Sequence, residues 1–175
     1  MDEDEFEVMI GRRFALVREL CASPATERAV DSQTAALREV LVGHDLQRVV
    51  YHADLRSKHL QVHPDGRIIG LLDWGASEDE FLPYVDLLHL VVHQRKQEDQ
   101  APPAAAWAAL KAGDLRDHER EALDDYAGRL GLHADLRRAL EAAYPLLVAG
   151  MAERNWDYSR PRWVQRQYGL ADNDE

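Results

Sequence analysis

Cysteine is almost missing from this chain, since Cys21 is the only one. An intrachain disulfide and a multi-cysteine zinc site are both excluded, and a reducing cytoplasm is the expected setting. Positive charge is also short. Lys and Arg number 21 against 32 Asp and Glu, giving a formal net charge of -11. A nucleic-acid backbone, which needs clustered Lys and Arg, is therefore not an expected partner. An acidic surface attracts small cationic molecules instead. No apolar run approaches the roughly 20 residues that a membrane-spanning helix needs. The first eight residues, Met1 to Val8, are acidic, whereas a signal peptide starts basic and turns apolar. A soluble intracellular protein with no membrane contact is the expectation.

What is present is a globular composition: 46% hydrophobic and 30% charged over 175 residues, enough for one domain with one core. Phe6, Met9, Ile10, Phe14, Val17 and Leu20 recur at helical spacing and predict a helix over 5–21. Ser23 and Pro24 break it. Asp31 or Ser32 is positioned to cap a second helix running to Val42, with Gly43 ending it. The pattern then changes. Val49 to Tyr51, Leu60 to His63 and Arg67 to Leu72 read as strands, and Pro64-Asp65-Gly66 between the last two marks a hairpin turn. After Pro83 the chain reads as helical again. A strongly apolar helix carrying Val85, Leu87, Leu88, Leu90, Val91 and Val92 is expected at the centre. Further helices are expected over 104–112, 117–130, 133–151 and 161–168, with Pro145 kinking or splitting the third of these. The fold class is mainly α with a small embedded β-hairpin (α+β), in a single domain spanning 1–175.

The chemistry concentrates around that hairpin. Asp54 follows the first strand in a loop, and Asp73 ends the hairpin's second strand. Loop residues held by a rigid scaffold are common places for catalysis. One carboxylate can accept a proton from an attacking hydroxyl while the other holds a cation that prefers oxygen. Arg56 and Lys58 lie close enough in sequence to balance phosphate charge.

His52-x-Asp54, followed by Asp73-Trp74-Gly75, resembles the catalytic-loop and metal-loop pair of the aminoglycoside phosphotransferase and choline kinase-like family. Protein kinases carry a related pair. Pro83-Tyr84-Val85-Asp86-Leu87 resembles the family's Asp-Pro-x-x-Asp-Leu, with Leu82 in the place of its first Asp. The resemblance runs from His44 to Val92. It implies a protein kinase-like C-terminal lobe: leading helices over 1–43, catalytic and metal loops with a central helix over 44–92, and C-terminal helices over 93–175. By the same resemblance Asp54 is the catalytic base, His52 orients its loop, and Asp86 braces that loop from the start of a helix. Arg56 contacts the transferred phosphate, Lys58 the nucleotide phosphates, and Asp73 with His59 the Mg²⁺. His59 stands where the pattern has a metal-binding Asn, and Mg²⁺ favours oxygen over imidazole nitrogen.

The implied activity is Mg²⁺- and ATP-dependent phosphorylation of a hydroxyl on a small molecule, with cationic molecules among the candidate acceptors. The segment before His52 holds 51 residues and reads as helices, with no Gly-rich loop and no strand Lys. The expectation is a C-lobe lacking its nucleotide-binding N-lobe, which a separate chain or a second copy supplies. A kinase-like C-lobe serving only to bind a ligand or protein is the competing expectation, as is one half of a split enzyme. A third reading, a zinc hydrolase built on His44, His52, His59 and His63, lacks a ligand set at recognisable spacing. Glu78-Asp79-Glu80 and Asp124-Asp125 read as solvated acidic runs or as lures for a cationic substrate. Trp107, Trp156 and Trp163 read as packing residues or as walls of a cation site.

Overall fold

The structure is a computed structural model that describes residues 1–21, 23–151 and Tyr168. It is mainly helical, with two small antiparallel sheets. Residues 161–167 of the last expected helix, with Trp156 and Trp163, lie outside the described residues.

The chain opens with α1 (Glu3–Phe6), a π-helical turn (Glu7–Gly11) and α2 (Arg12–Leu20). Asp2 and Glu5 form a reciprocal capping box at its start. Phe6, Ile10, Phe14 and Val17 are buried, as their spacing predicts. α3 (Pro24–Leu41) begins earlier than expected. Ser23, not Asp31 or Ser32, is its N-cap, its Oγ accepting from the Thr26 N–H at 3.1 Å, and Pro24 occupies the first turn, where its missing N–H costs nothing.

Four strands follow: β1 (Val49–Tyr51), β2 (Leu60–Val62), β3 (Ile68–Leu71) and β4 (Glu78–Phe81). β2 and β3 form the expected hairpin, with Leu60 opposite Leu71 and Gly66 at φ +89° in the turn. β4 was expected to be a loop. It pairs with β1 instead, Val49 opposite Phe81, and Glu78 is held by Arg13 through two hydrogen bonds of 2.8 and 2.6 Å. A run of acids reads as solvated because its pairing partners lie far away in sequence, here Arg13 for Glu78 and Arg48 for Glu80.

The helices α4 (Val85–Asp99), α5 (Pro103–Lys111), α6 (Asp117–Arg129) and α7 (Ala134–Met151) complete the described fold. The most deeply buried segment is the second half of α7, not the expected α4: every residue from Ala143 to Met151 is buried, while Ala134, Asp135 and Arg138 in its first half are exposed. It passes so close to α2 that a Cβ on Gly150 would lie 2.8 Å from the Arg13 Cβ, which is why a glycine stands there. Pro145 does not split α7. Proline removes the bond to the carbonyl four residues back. That carbonyl, Glu141 O, accepts from the Trp107 indole Nε1–H at 2.7 Å instead. Trp107 therefore docks α5 on α7 and carries the Lys111 ammonium 4.2 Å from its ring centroid.

Candidate functional site

The site forms where β1, the hairpin and the first turns of α4 meet. β1 ends at Tyr51, and the chain turns sharply through Ala53 at φ +71°. The turn is fixed from α4. Asp86 accepts the backbone N–H of His52 at 2.7 Å and that of Ala53 at 3.0 Å, so one carboxylate satisfies two donors that the turn would otherwise leave bare. Burial pushes the Asp86 carboxyl up from its ordinary range, against the pull of those two donors.

His52 ties this loop to the other. Its Nδ1 accepts weakly from the Asp54 N–H at 3.4 Å, so Nε2 carries the proton and donates to the Leu72 carbonyl at 2.8 Å. Leu72 immediately precedes Asp73. The hairpin ladder also extends one step beyond β3, with Leu72 N–H donating to His59 O at 2.9 Å. Asp73 then adopts the left-handed conformation, φ 65° and ψ 56°, and a turn of 3₁₀ helix over Trp74–Ala76 follows. The indole of Trp74 lies 4.8 Å from the His52 ring and donates to Leu71 O at 3.0 Å. Short polar Asp tolerates a left-handed backbone better than most residues.

These constraints bring Asp54, His59 and Asp73 together. Each offers one ligand atom, and the three atoms lie within 4.8 Å of one another. The His59 ring is oriented by the loop itself: its Nδ1–H donates to the Asp54 carbonyl at 2.8 Å, and Nε2 faces Asp73 Oδ2 at 3.5 Å. The side chains are 20% exposed at Asp54, 7% at His59 and 65% at Asp73, so the cluster opens to solvent on the Asp73 side.

Asp54 is heavily constrained. Arg56 pairs with its Oδ1 at 2.5 Å, and His89 from α4 approaches the same oxygen at 3.3 Å. The Tyr144 hydroxyl donates to His89 Nδ1 at 2.9 Å, which leaves the Nε2–H to face Asp54. Burial alone would raise the Asp54 carboxyl. The hydrogen bond from His89 and the Arg56 charge outweigh it, and the group is held far below the usual carboxylate range. A carboxylate held in this way is able to accept a hydrogen bond from a hydroxyl.

Arg56 therefore points at Asp54, and its Nε is buried with no hydrogen-bond partner among the described residues. Lys58 is exposed, and no described hydrogen bond or ion pair draws it into the cluster. Of the four histidines weighed for zinc, His63 pairs with Asp65 at the hairpin turn and His44 lies against His133. His52 is spent on Leu72, so only His59 joins the carboxylates. Asp124 and Asp125 are paired with Arg137 and Arg129 on the surface of α6. An open depression of about 510 Å³ lies apart from this cluster, between α3 and α7; Glu39, His44, His133 and Asp135 line it, but among the described residues their ligand atoms do not converge as those of Asp54, His59 and Asp73 do.

The pattern of the sequence did not single out His89. Its signal is positional: Asp86 and His89 are three residues apart in a helix, hence on one face, and that face meets the Asp54 loop. The donor set fits a divalent cation, with two carboxylates and one imidazole oriented through its other nitrogen. It fits Mg²⁺ less well than the two oxygen donors alone would. No protein-family model, no curated protein and no solved structure matches this chain.

Proposed function

We propose that the chain is a phosphoryl-transfer module of the aminoglycoside phosphotransferase-like type, with the architecture of a protein kinase-like C-terminal lobe. The reaction class is ATP-dependent phosphorylation of a hydroxyl on a small molecule, with cationic molecules among the candidate acceptors, in a cytoplasmic setting. The observation that carries this reading is the convergence of Asp54 and Asp73, from before and after the hairpin, with His59, their ligand atoms lying within 4.8 Å of one another. The brace from Asp86 to the Asp54 loop supports it as well.

In this reading Asp54 accepts the hydrogen bond of the acceptor hydroxyl and aligns its oxygen for attack. Its depressed pKa suits orientation, as does its fixed geometry, because phosphoryl transfer is mostly positioning and charge neutralisation. Arg56, poised beside Asp54 with an unsatisfied Nε, meets charge on the transferred group. Asp73 and His59 hold the divalent ion, which neutralises the nucleotide phosphates when bound. Lys58 is exposed near enough in sequence to reach those phosphates.

One feature favours a partner on this face. Val62, Ile68 and Ile69 on the hairpin are 54, 60 and 61% exposed, and Leu72 and Trp74 are open beside them. A separately encoded nucleotide-binding lobe, or a second copy, would cover them. The same surface supports the alternative that the module binds a partner without catalysis.

Thermal stability measured against Mg·ATP tests the reading. At ligand a hundredfold above its dissociation constant, stability rises by about 2.7 kcal/mol. That gain is expected in the native chain and absent in Asp73→Ala. No shift at millimolar Mg·ATP or Mn·ATP, alone or with a candidate lobe, removes the phosphoryl-transfer reading.

A further inference from the structure

We infer that the ion site between His59 and Asp73 is built for a divalent transition metal of the Mn²⁺, Co²⁺ or Zn²⁺ class in preference to Mg²⁺. The inference deepens the phosphoryl-transfer reading and rests on it for what the ion does. The site itself rests on geometry.

Three observations combine. The first is tautomeric. A carbonyl oxygen only accepts, so the 2.8 Å contact from His59 Nδ1 to Asp54 O puts the proton on Nδ1. In the neutral ring, Nε2 then presents a lone pair. That is how metal-binding histidines are commonly prepared, the distal nitrogen donating to a carbonyl so that the proximal one is fixed in direction.

The second observation is an unbalanced contact. The Nε2 lone pair faces Asp73 Oδ2 at 3.5 Å, with Asp54 close by, and the His59 side chain is 7% exposed. Arg56 and His89 already balance Asp54, but among the described residues no donor is hydrogen-bonded to His59 Nε2, and a cation between that nitrogen and Asp73 Oδ2 would turn two facing acceptors into ligands.

The third is the donor set and its spacing. With bonds of about 2.1 Å, two donors 3.5 Å apart subtend about 110° at a shared ion. Zn²⁺ and Co²⁺ accept that angle readily in tetrahedral sites, whereas Mn²⁺, usually octahedral, competes here only through its affinity for the nitrogen donor. Mg²⁺ demands a near-octahedral arrangement with right angles and prefers oxygen throughout. Imidazole nitrogen suits the later first-row dications, whose affinity for such sites rises along the series from Mn²⁺. An Asn at this position would offer an oxygen, whereas His59 offers a nitrogen.

The test uses untagged protein, so that no added histidines compete. Co²⁺ is titrated in and followed by its visible d–d absorption, then displaced by Mn²⁺, Zn²⁺ or Mg²⁺. One Co²⁺ per chain is expected, with Mn²⁺ displacing it at concentrations at least tenfold below Mg²⁺. His59→Asn should bring Mn²⁺ and Mg²⁺ to within threefold of each other and alter the Co²⁺ spectrum. Asp73→Asn, at an exposed left-handed position that Asn tolerates, should abolish the band while leaving the circular dichroism melt unchanged. His63→Asn, on the hairpin turn, should change nothing. Superimposable Co²⁺ titrations for the native, His59→Asn and Asp73→Asn proteins would overturn the inference, as would Mg²⁺ competing on equal terms. Retained Mg·ATP binding with no His59-dependent preference sinks this inference and leaves the phosphoryl-transfer reading standing. A His59-dependent Co²⁺ site without any nucleotide response supports the metal site and removes that reading.

Discussion

Asp86 does more for the site than any residue that would touch a ligand. Its two oxygens take the N–H groups of His52 and Ala53, and those bonds hold a turn whose central residue sits at φ +71°. A left-handed alanine costs on the order of 1–2 kcal/mol and persists only where its surroundings insist on it. Replacing Asp86 by Ala removes both acceptors at once and leaves two donors unsatisfied in a partly buried loop. The expected loss is about 2–6 kcal/mol in urea-induced unfolding, at roughly 1–3 kcal/mol for each bare buried group. In the proposed phosphoryl-transfer reading, nucleotide and metal binding should fall with it, because Asp54 depends on that turn. A loss below about 1 kcal/mol would show that the loop holds itself. His89 acts similarly from the same helix face: it shares Asp54 Oδ1 with Arg56, which fixes the carboxylate's orientation.

At the scale of elements, α4 is anchored at both ends by charge. Its N-terminal turn carries Asp86. Near its C-terminal end, Arg95 donates from Nε to Glu119 Oε1 at 2.6 Å and from Nη2 to the second carboxylate oxygen, with both side chains buried. Glu119 also accepts the Arg116 N–H at 2.8 Å, which caps α6. Burial by itself raises the Glu119 carboxyl, but the Arg95 hydrogen bond and the Arg116 N–H outweigh it and the group ends below its ordinary value. A carboxyl depressed in the folded state binds fewer protons there than in the unfolded chain. Its stabilisation is full above the unfolded value of about 4.3 and disappears as pH falls through the lower folded value. Denaturation midpoints measured from pH 7 down to pH 3 should therefore drop on the acid side, and Glu119→Gln should flatten that part of the curve. An unchanged acid limb in the variant would assign the loss to other carboxyls.

The whole molecule is asymmetric. Its helical body encloses a continuous core around α7, while the β2–β3 hairpin stands out with apolar residues on its surface. Val62, Ile68 and Ile69 bury little in the described fold, so Ile68→Lys with Ile69→Glu should change unfolding free energy by no more than about 0.5 kcal/mol. The same pair should reduce concentration-dependent association in sedimentation and abolish capture of a candidate nucleotide-binding lobe. A large loss of stability would mean that the hairpin packs on the body instead of awaiting a partner. Among the described residues no helix is long and apolar enough to cross a membrane.

Much of this was legible in the residue order. Apolar spacing at 3.6 residues located most helices within a few positions, because a helix buries one face and repetition reveals it; the start of α3 was missed, since Ser23 and not Asp31 or Ser32 caps it. Proline, aspartate and glycine at 64–66 announced the hairpin, because few residues accept that turn. The short motifs around Asp54 and Asp73 pointed to two carboxylates at the ends of that ribbon. Tertiary structure alone decided what depends on contact between distant segments. β4 became a strand only by pairing with β1, and Glu78 found Arg13 across 65 positions. Pro145 stayed within one helix because Trp107 replaced its lost bond. His89 reached Asp54 and His59 faced Asp73 because α4 and the hairpin close on one loop. Sequence fixes what each segment prefers locally; the direction in which a side chain meets its partner is set only when the segments pack.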